Sequence, residues 1–263
     1  MSRILAIFKR EYSSYFRSPI GYVIFAIFMA ISGLYYGVSV MNSYSYLAGE
    51  LNFLQTWLFF LLIPIMTMRA FSEDRRNGTE VLLFTSPASS TEIVLGKYLA
   101  SLSFFLTISG GTLVHLLLTL AFGGRVDIGV LGAYIGYVFL GAAFIAIGVF
   151  ASALTENQII AAVISFVILM ALMLIDAIAG LIGDAASGLL SRLNVFDLLS
   201  DLQIDNVGSA ITAGLQWINP YARLSNFVNG IFEISPIIFF ISLAAVFLYM
   251  TNRVIEKRRW SQR

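Results

Sequence analysis

No cysteine occurs in the 263 residues, histidine occurs once, and only 12% of the chain is charged, about half the share usual in a soluble domain. Without cysteine there is no disulfide framework, no thiolate nucleophile and no thiolate metal site. His115 stands alone and no apolar run holds a pair of carboxylates, so zinc-protease and proton-relay chemistry have little to build on. A net charge of +1 offers no global attraction to nucleic acid. A nucleotide-binding loop is missing as well. Gly96-Lys97 is followed by Tyr98, not Ser or Thr, and Thr91 stands where a P-loop places its first glycine.

What the chain has is apolar length. Hydrophobic residues make up 59% of it. Six stretches, 20–40, 51–68, 98–122, 130–153, 159–182 and 234–251, approach the roughly 20 helical residues that cross a hydrocarbon core. The first is too long for a signal peptide, lacks a small-residue cleavage site and follows a basic segment, so it is expected to stay in the mature protein. With the N-terminus inside, the inner segments collect Arg3, Lys9, Arg10, Arg17, Arg69, Arg75, Arg76, Lys97, Arg253, Lys257, Arg258, Arg259 and Arg263, leaving Arg125, Arg192 and Arg223 outside. Five or seven spans would destroy that asymmetry. The expectation is one all-α integral membrane domain over 1–263, with six spans and both termini cytoplasmic.

Residues 2–17 repeat with helical period. Ile4, Leu5, Phe8, Tyr12, Tyr15 and Phe16 share one arc and Lys9, Arg10, Ser13, Ser14 and Arg17 the other, which predicts an interfacial helix over 1–18 lying in the headgroup plane, a plain positive anchor being the alternative. Tyr35, Tyr36, Tyr44, Tyr46 and Trp57 read as an outer aromatic belt, and Pro64 as a kink in span 2. Gly132, Gly136, Gly141, Gly148 and Ser152 predict close helix packing within the bundle in preference to dimerisation. His115 and Asp176 read as hydrogen-bonded groups in the bundle or at its edge, or else as polar contacts along a substrate path. Residues 183–233, with LLSRLNVFDLLSDL and VGSAITAGLQWI broken by Asn206, Gly208, Asn219 and Pro220, read as a helical external cap or a partly re-entrant hairpin.

The stretch RAFSEDRRNGTEVLLFTSPASSTEIVLGK, 69–97, lies between spans 2 and 3. Mixed charges at Glu73, Asp74, Arg75 and Arg76 lead to an Asn77-Gly78 turn and a short helical pattern that Pro87 stops. Ser89 and Glu92 have the spacing of a capping box, which starts a helix running through Lys97 into span 3. The segment is therefore a small cytoplasmic helix on two ordered arms, and Leu82, Leu83 and Phe84 need cover from a partner protein or from the bilayer surface.

On these residues the chain resembles a known family. P-I-G-Y-V at 19–23, I-P-I-M-T-M-R-A-F-S-E-D at 63–74, N-G-T-E-V-L-L-F-T-S-P at 77–87, I-V-L-G-K-Y at 93–98, G-V-F-A-S-A-L-T-E-N-Q-I at 148–159 and R-V-I-E-K-R-R-W at 253–260 are similar to type-2 ABC transporter permeases, in particular the gliding-motility permease (GldF-like) subgroup. The resemblance implies a half-transporter, not itself an enzyme. It would pair with a second permease copy or homologue, and each would sit on a nucleotide-binding subunit that holds ATP and magnesium. Further partners would be the lipid bilayer and possible auxiliary membrane proteins with an external domain, but no nucleic acid. No cofactor or metal would bind the chain directly.

Carried over residue by residue, the ATPase-coupling interface would be the helix 78–84 (Gly78, Thr79, Glu80, Leu82, Leu83, Phe84), flanked by Glu73, Asp74, Arg75 and Arg76 and by Thr85 and Pro87. A second contact would come from Thr155, Glu156 and Asn157. The implied function is ATP-driven export across the cytoplasmic membrane of a prokaryote. The alternatives are a mechanotransmission unit signalling to an external partner without transport, and an ion-coupled carrier, which would need paired charges within the membrane.

Overall fold

The computed structural model describes residues 3–41, 47–124, 126–193 and 200–261, and no strand occurs among them. Ser2, Tyr44, Tyr46, Arg125 and the middle of LLSRLNVFDLLSDL lie outside the described residues. The helices are α1 (Arg3–Arg17), α2 (Pro19–Met41), α3 (Leu47–Phe53), α4 (Phe59–Thr67), α5 (Arg69–Arg76), α6 (Glu80–Thr85), α7 (Ser90–Ser109), α8 (Thr112–Ala121), α9 (Ile128–Leu154), α10 (Gln158–Met173), α11 (Ile175–Leu193), α12 (Asp201–Gln216), α13 (Ser225–Val228) and α14 (Ile234–Ser261).

Among the described residues, five helices are long and apolar enough to cross a membrane: Pro19–Met41, Leu47–Arg76, Ser90–Ala121, Ile128–Leu154 and Ile234–Trp260. A sixth exists if α10 and α11 count together, and these are bent by 66° at Leu174. The expected fifth span is thus bent within its length. No proline or glycine stands at the break; just past it, Asp176 Oδ2 accepts a 2.7 Å hydrogen bond from Asn219 Nδ2. Contacts divide the chain into two compact units, Met1–Val167 with Leu224–Arg263, and Ile168–Arg223. In the second, α11 and α12 pack closely at Gly183, where a Cβ would come within 2.0 Å of Thr212 Oγ1. Helix α11 runs through residue 183 without interruption.

The core of the first unit is α9. From Ala143 to Val149 every side chain is buried, because small residues let neighbours in on several sides. A Cβ on Gly148 would lie 2.1 Å from Thr67 Oγ1, and one on Gly132 would lie 2.1 Å from the Phe227 carbonyl oxygen. Close packing inside one chain is what these glycines do.

Pro64 is accommodated inside α4. The irregularity of that span lies earlier, in a π-helical turn at Leu54–Leu58, where the Phe59 N–H reaches back to the Leu54 carbonyl. Helix α1 forms over the expected residues and packs against the bundle. Tyr15 is buried, its ring stacked 4.2 Å from that of Phe104, and its hydroxyl donates 3.0 Å to the Met66 carbonyl. The helix lies against α7 with one face, at Ile7 opposite Gly96, while Arg3, Leu5, Lys9, Arg10, Phe16 and Arg17 are exposed.

Candidate functional site

Helix α5 starts straight after α4 and has no side-chain N-cap of its own, although the first amide groups of a helix need acceptors. Ser152 on α9 supplies one. Its Oγ accepts from Phe71 N at 3.0 Å and Ser72 N at 3.1 Å, and donates to the Met68 carbonyl at 2.9 Å. In return, Arg75 Nη2 donates 2.8 Å to the Ala153 carbonyl and Arg258 Nη2, from α14, donates 3.0 Å to Leu154. Two guanidinium groups therefore satisfy the C-terminal end of α9, where cations are favoured.

After α5 the chain turns at Gly78, whose φ of 70° suits glycine. Thr79 Oγ1 closes the turn on Asp74 Oδ1 at 2.7 Å. Helix α6 then divides by side. Glu80 and Leu83, three apart, are buried at 7% exposure each, whereas Val81 and Leu82 are 52% and 70% exposed. Phe84 is half-buried and Thr85 and Pro87 are exposed. Leu83 is therefore covered by its own chain and needs no partner, contrary to expectation. Burial pushes the Glu80 carboxyl above its ordinary range, with Arg75, 3.5 Å away, opposing the shift.

The capping box forms as expected. Ser89 Oγ accepts from Glu92 N at 3.2 Å and Glu92 Oε2 accepts from Ser89 N at 2.7 Å. Arg3 Nη1 and Arg259 Nη1 donate to the carbonyls of Pro87 and Ala88 at 2.6 and 3.1 Å, so α1 and α14 both hold the link between α6 and α7.

One turn and a half further on, Lys97 is 2% exposed. Its Nζ donates to Asp74 Oδ2 at 2.5 Å and Glu11 Oε1 at 3.0 Å and lies 5.2 Å from the centre of the Phe71 ring. Arg10 flanks both carboxylates. One buried ammonium thus joins α1, α5 and α7. As a lone basic residue in the sequence it carries no sign of this; its partners are 23 and 86 positions away.

The second expected contact follows α9. Glu156 and Asn157 are exposed and Thr155 half-buried. Thr155 Oγ1 accepts from Asn157 N at 3.1 Å, and Asn157 Oδ1 accepts from Ile159 N at 2.9 Å, which starts α10. Exposed positions at this end of the unit thus include Arg76, Gly78, Val81, Leu82, Thr85, Pro87, Glu156 and Asn157. Glu80 and Leu83 are instead internal, with Glu73, Asp74 and Arg75 in ion pairs of the chain itself.

Within the spans, the structure pairs groups that the sequence reading leaves apart. His115 Nδ1 lies 2.8 Å from Glu50 Oε1, Ser32 Oγ donates 2.5 Å to the same oxygen, and the Tyr36 ring stacks on His115 at 4.5 Å. Glu50 precedes the expected span 2 by one residue, which hid it. Among the described residues no group of three His, Cys, Asp or Glu side chains could hold a metal ion.

Helices of this number, length and composition define a multi-pass integral membrane protein. Residues 2–177 match the model of the ABC-2 type transporter family, and the chain belongs to that family: it is a permease, the membrane component of an ABC transporter and not itself the ATPase. No curated protein matches the chain.

Proposed function

We propose that this permease exports a substrate across the cytoplasmic membrane of a prokaryote, driven by ATP and magnesium on a separate nucleotide-binding subunit, with a second permease copy or homologue beside it and both termini cytoplasmic. The face of α6 bearing Val81 and Leu82, with Glu156 and Asn157, is the docking surface. The observation that carries this reading is the Lys97–Asp74–Glu11 cluster, which joins the helices before and after α6. It braces both arms of the exposed turn against α1, so a push on α6 travels into the spans as a rigid-body displacement and is not absorbed by a slack loop. The motifs quoted above support a reading within the gliding-motility subgroup, with an auxiliary membrane protein bearing an external domain as a further partner to test for.

A second reading has its own support. The separate compact unit Ile168–Arg223 gives an external partner a structured element to grip, as mechanotransmission without transport requires. Co-expression with the cognate P-loop ATPase separates these from any self-contained mechanism. A stable complex whose ATP hydrolysis depends on the ATPase chain is expected; hydrolysis by the isolated permease contradicts the reading. Between export and mechanotransmission, substrate accumulation in sealed vesicles decides.

A further inference from the structure

Among the described residues, the last turns of α14 carry Arg253, Lys257, Arg258 and Arg259, and these divide by direction. Arg253 spends its guanidinium on its own helix, donating 2.9 Å to the Tyr249 hydroxyl and 3.2 Å to Glu256 Oε2. Lys257 is exposed. Cations that only mark the inner end of a span need do no more than this. Arg258 and Arg259 are half-buried and reach to other elements.

Ile255 beside them is fully buried. At about 100° per residue, Arg258 falls about 60° to one side of it and Arg259 about 40° to the other. Two neighbours in sequence therefore leave the helix on opposite sides of one buried stripe. Arg258 Nη2 donates 3.0 Å to the Leu154 carbonyl, just ahead of Glu156 and Asn157. Arg259 Nη1 donates 3.1 Å to the Ala88 carbonyl, in the link that follows α6. Arg75 already joins those two places, lying 3.5 Å from Glu80 Oε2 on α6 and donating 2.8 Å to the Ala153 carbonyl. What Arg258 and Arg259 add is a span, fastened to that body at two points.

Two points matter because one bond is a pivot. Apolar packing lets helices slide past one another by small steps, and a pair of bonds on opposite sides of the stripe opposes both sliding and rolling. Helix α14 can pass such a displacement on. From Ile237 to Ser261 it contains no glycine or proline, and Phe240, Ala244, Thr251 and Ile255 are buried along it. Its 28 residues make a rod of about 42 Å, longer than the roughly 30 Å hydrocarbon core. Span 2, by contrast, is interrupted by its π-helical turn.

We infer that Arg258 and Arg259 are positioning residues that make α14 a driven span, one that follows both docking contacts as they move. The inference rests on the docking reading above for what does the driving. Neither arginine touches the ATPase; each acts through a backbone carbonyl of its own chain.

Spin-label distances in the full chain, solubilised without any ATPase, test the fastening. Labels go at Lys257→Cys with either Thr85→Cys or Glu156→Cys, all exposed positions. Arg259→Gln is expected to widen the 85–257 distribution at least twofold, and Arg258→Gln the 156–257 distribution, each more than the other pair. Arg253→Gln, which removes the same charge from the same helix, widens neither. In the complex with the ATPase, the distance between Met41→Cys and Ile238→Cys, near the outer ends of α2 and α14, is expected to shift on ATP hydrolysis. Arg258→Gln combined with Arg259→Gln abolishes that shift, while ATPase binding and the KM for ATP stay within twofold. Unchanged widths in both single variants, equal widening in Arg253→Gln, or a shift that survives the double variant overturns the inference. An ATPase that fails to bind the unmodified chain overturns the docking reading instead, and the distances in the isolated chain still decide the fastening.

Discussion

Lys97 Nζ, on the helix that leaves the α6 turn, lies 2.5 Å from Asp74 Oδ2, on the helix that enters it. Glu11 of α1 completes the cluster at 3.0 Å. Removing the ammonium leaves two carboxylates facing each other with only Arg10 beside them. Breaking a buried charge pair from one side costs about 3–5 kcal/mol, so Lys97→Met is expected to lower the melting temperature of the detergent-solubilised protein steeply. Adding Asp74→Asn and Glu11→Gln recovers part of the loss, since the stranded charges go too. Melting curves of the parent, the single variant and the triple variant check this, and a Lys97→Met protein that melts like the parent contradicts it.

Ser152 carries the junction of α4 and α5 with one oxygen. Ser152→Ala strands two buried amides, Phe71 N and Ser72 N, each costing of the order of 1–3 kcal/mol; the Met68 carbonyl keeps the Ser72 hydroxyl. Hydrogen exchange localises the effect: protection is expected to fall at Phe71 and Ser72 before it falls in the middle of α9.

Leu82 and Leu83 are neighbours with opposite duties. Leu83→Asp buries a charge and is expected to destabilise the chain on its own. Leu82→Asp leaves melting unchanged but weakens binding of the ATPase at least tenfold, because burying a leucine contributes about 1.5–3 kcal/mol. Melting and co-purification measured on both variants separate the two roles.

Glu80 gives a pH signature. Its folded-state carboxyl titrates above the ordinary value of 4.5, so the folded chain holds its proton more tightly than the unfolded chain. Stability contributed by this group is present below the unfolded value and falls as pH rises through the folded one. Glu80→Gln is expected to match the parent near pH 4 and to melt higher at neutral pH. A difference that closes as pH rises runs against the assignment.

The sequence conveys the spans, the basic end and the capping box, because each is a local pattern: a run of apolar residues, a count of Lys and Arg, Ser89 three before Glu92. It conveys much less about which way short elements face. Six residues of α6 are too few for periodicity to separate Leu82 from Leu83, and the buried partners of Lys97 and His115 are distant in the chain. The break at Leu174 carries no proline or glycine to announce it, and Pro64, which would announce one, is absorbed in α4 beyond a π-helical turn.

Because the chain has no cysteine, single cysteines report one position each. The measurement that bears most directly on the central claim is cross-linking from Leu82→Cys, on the exposed face of α6, to the co-expressed ATPase, with Leu117→Cys, 63% exposed on α8, as the comparison. The account predicts a cross-link from position 82 and none from position 117. An ATPase complex that forms normally yet gives no cross-link from position 82 would contradict it.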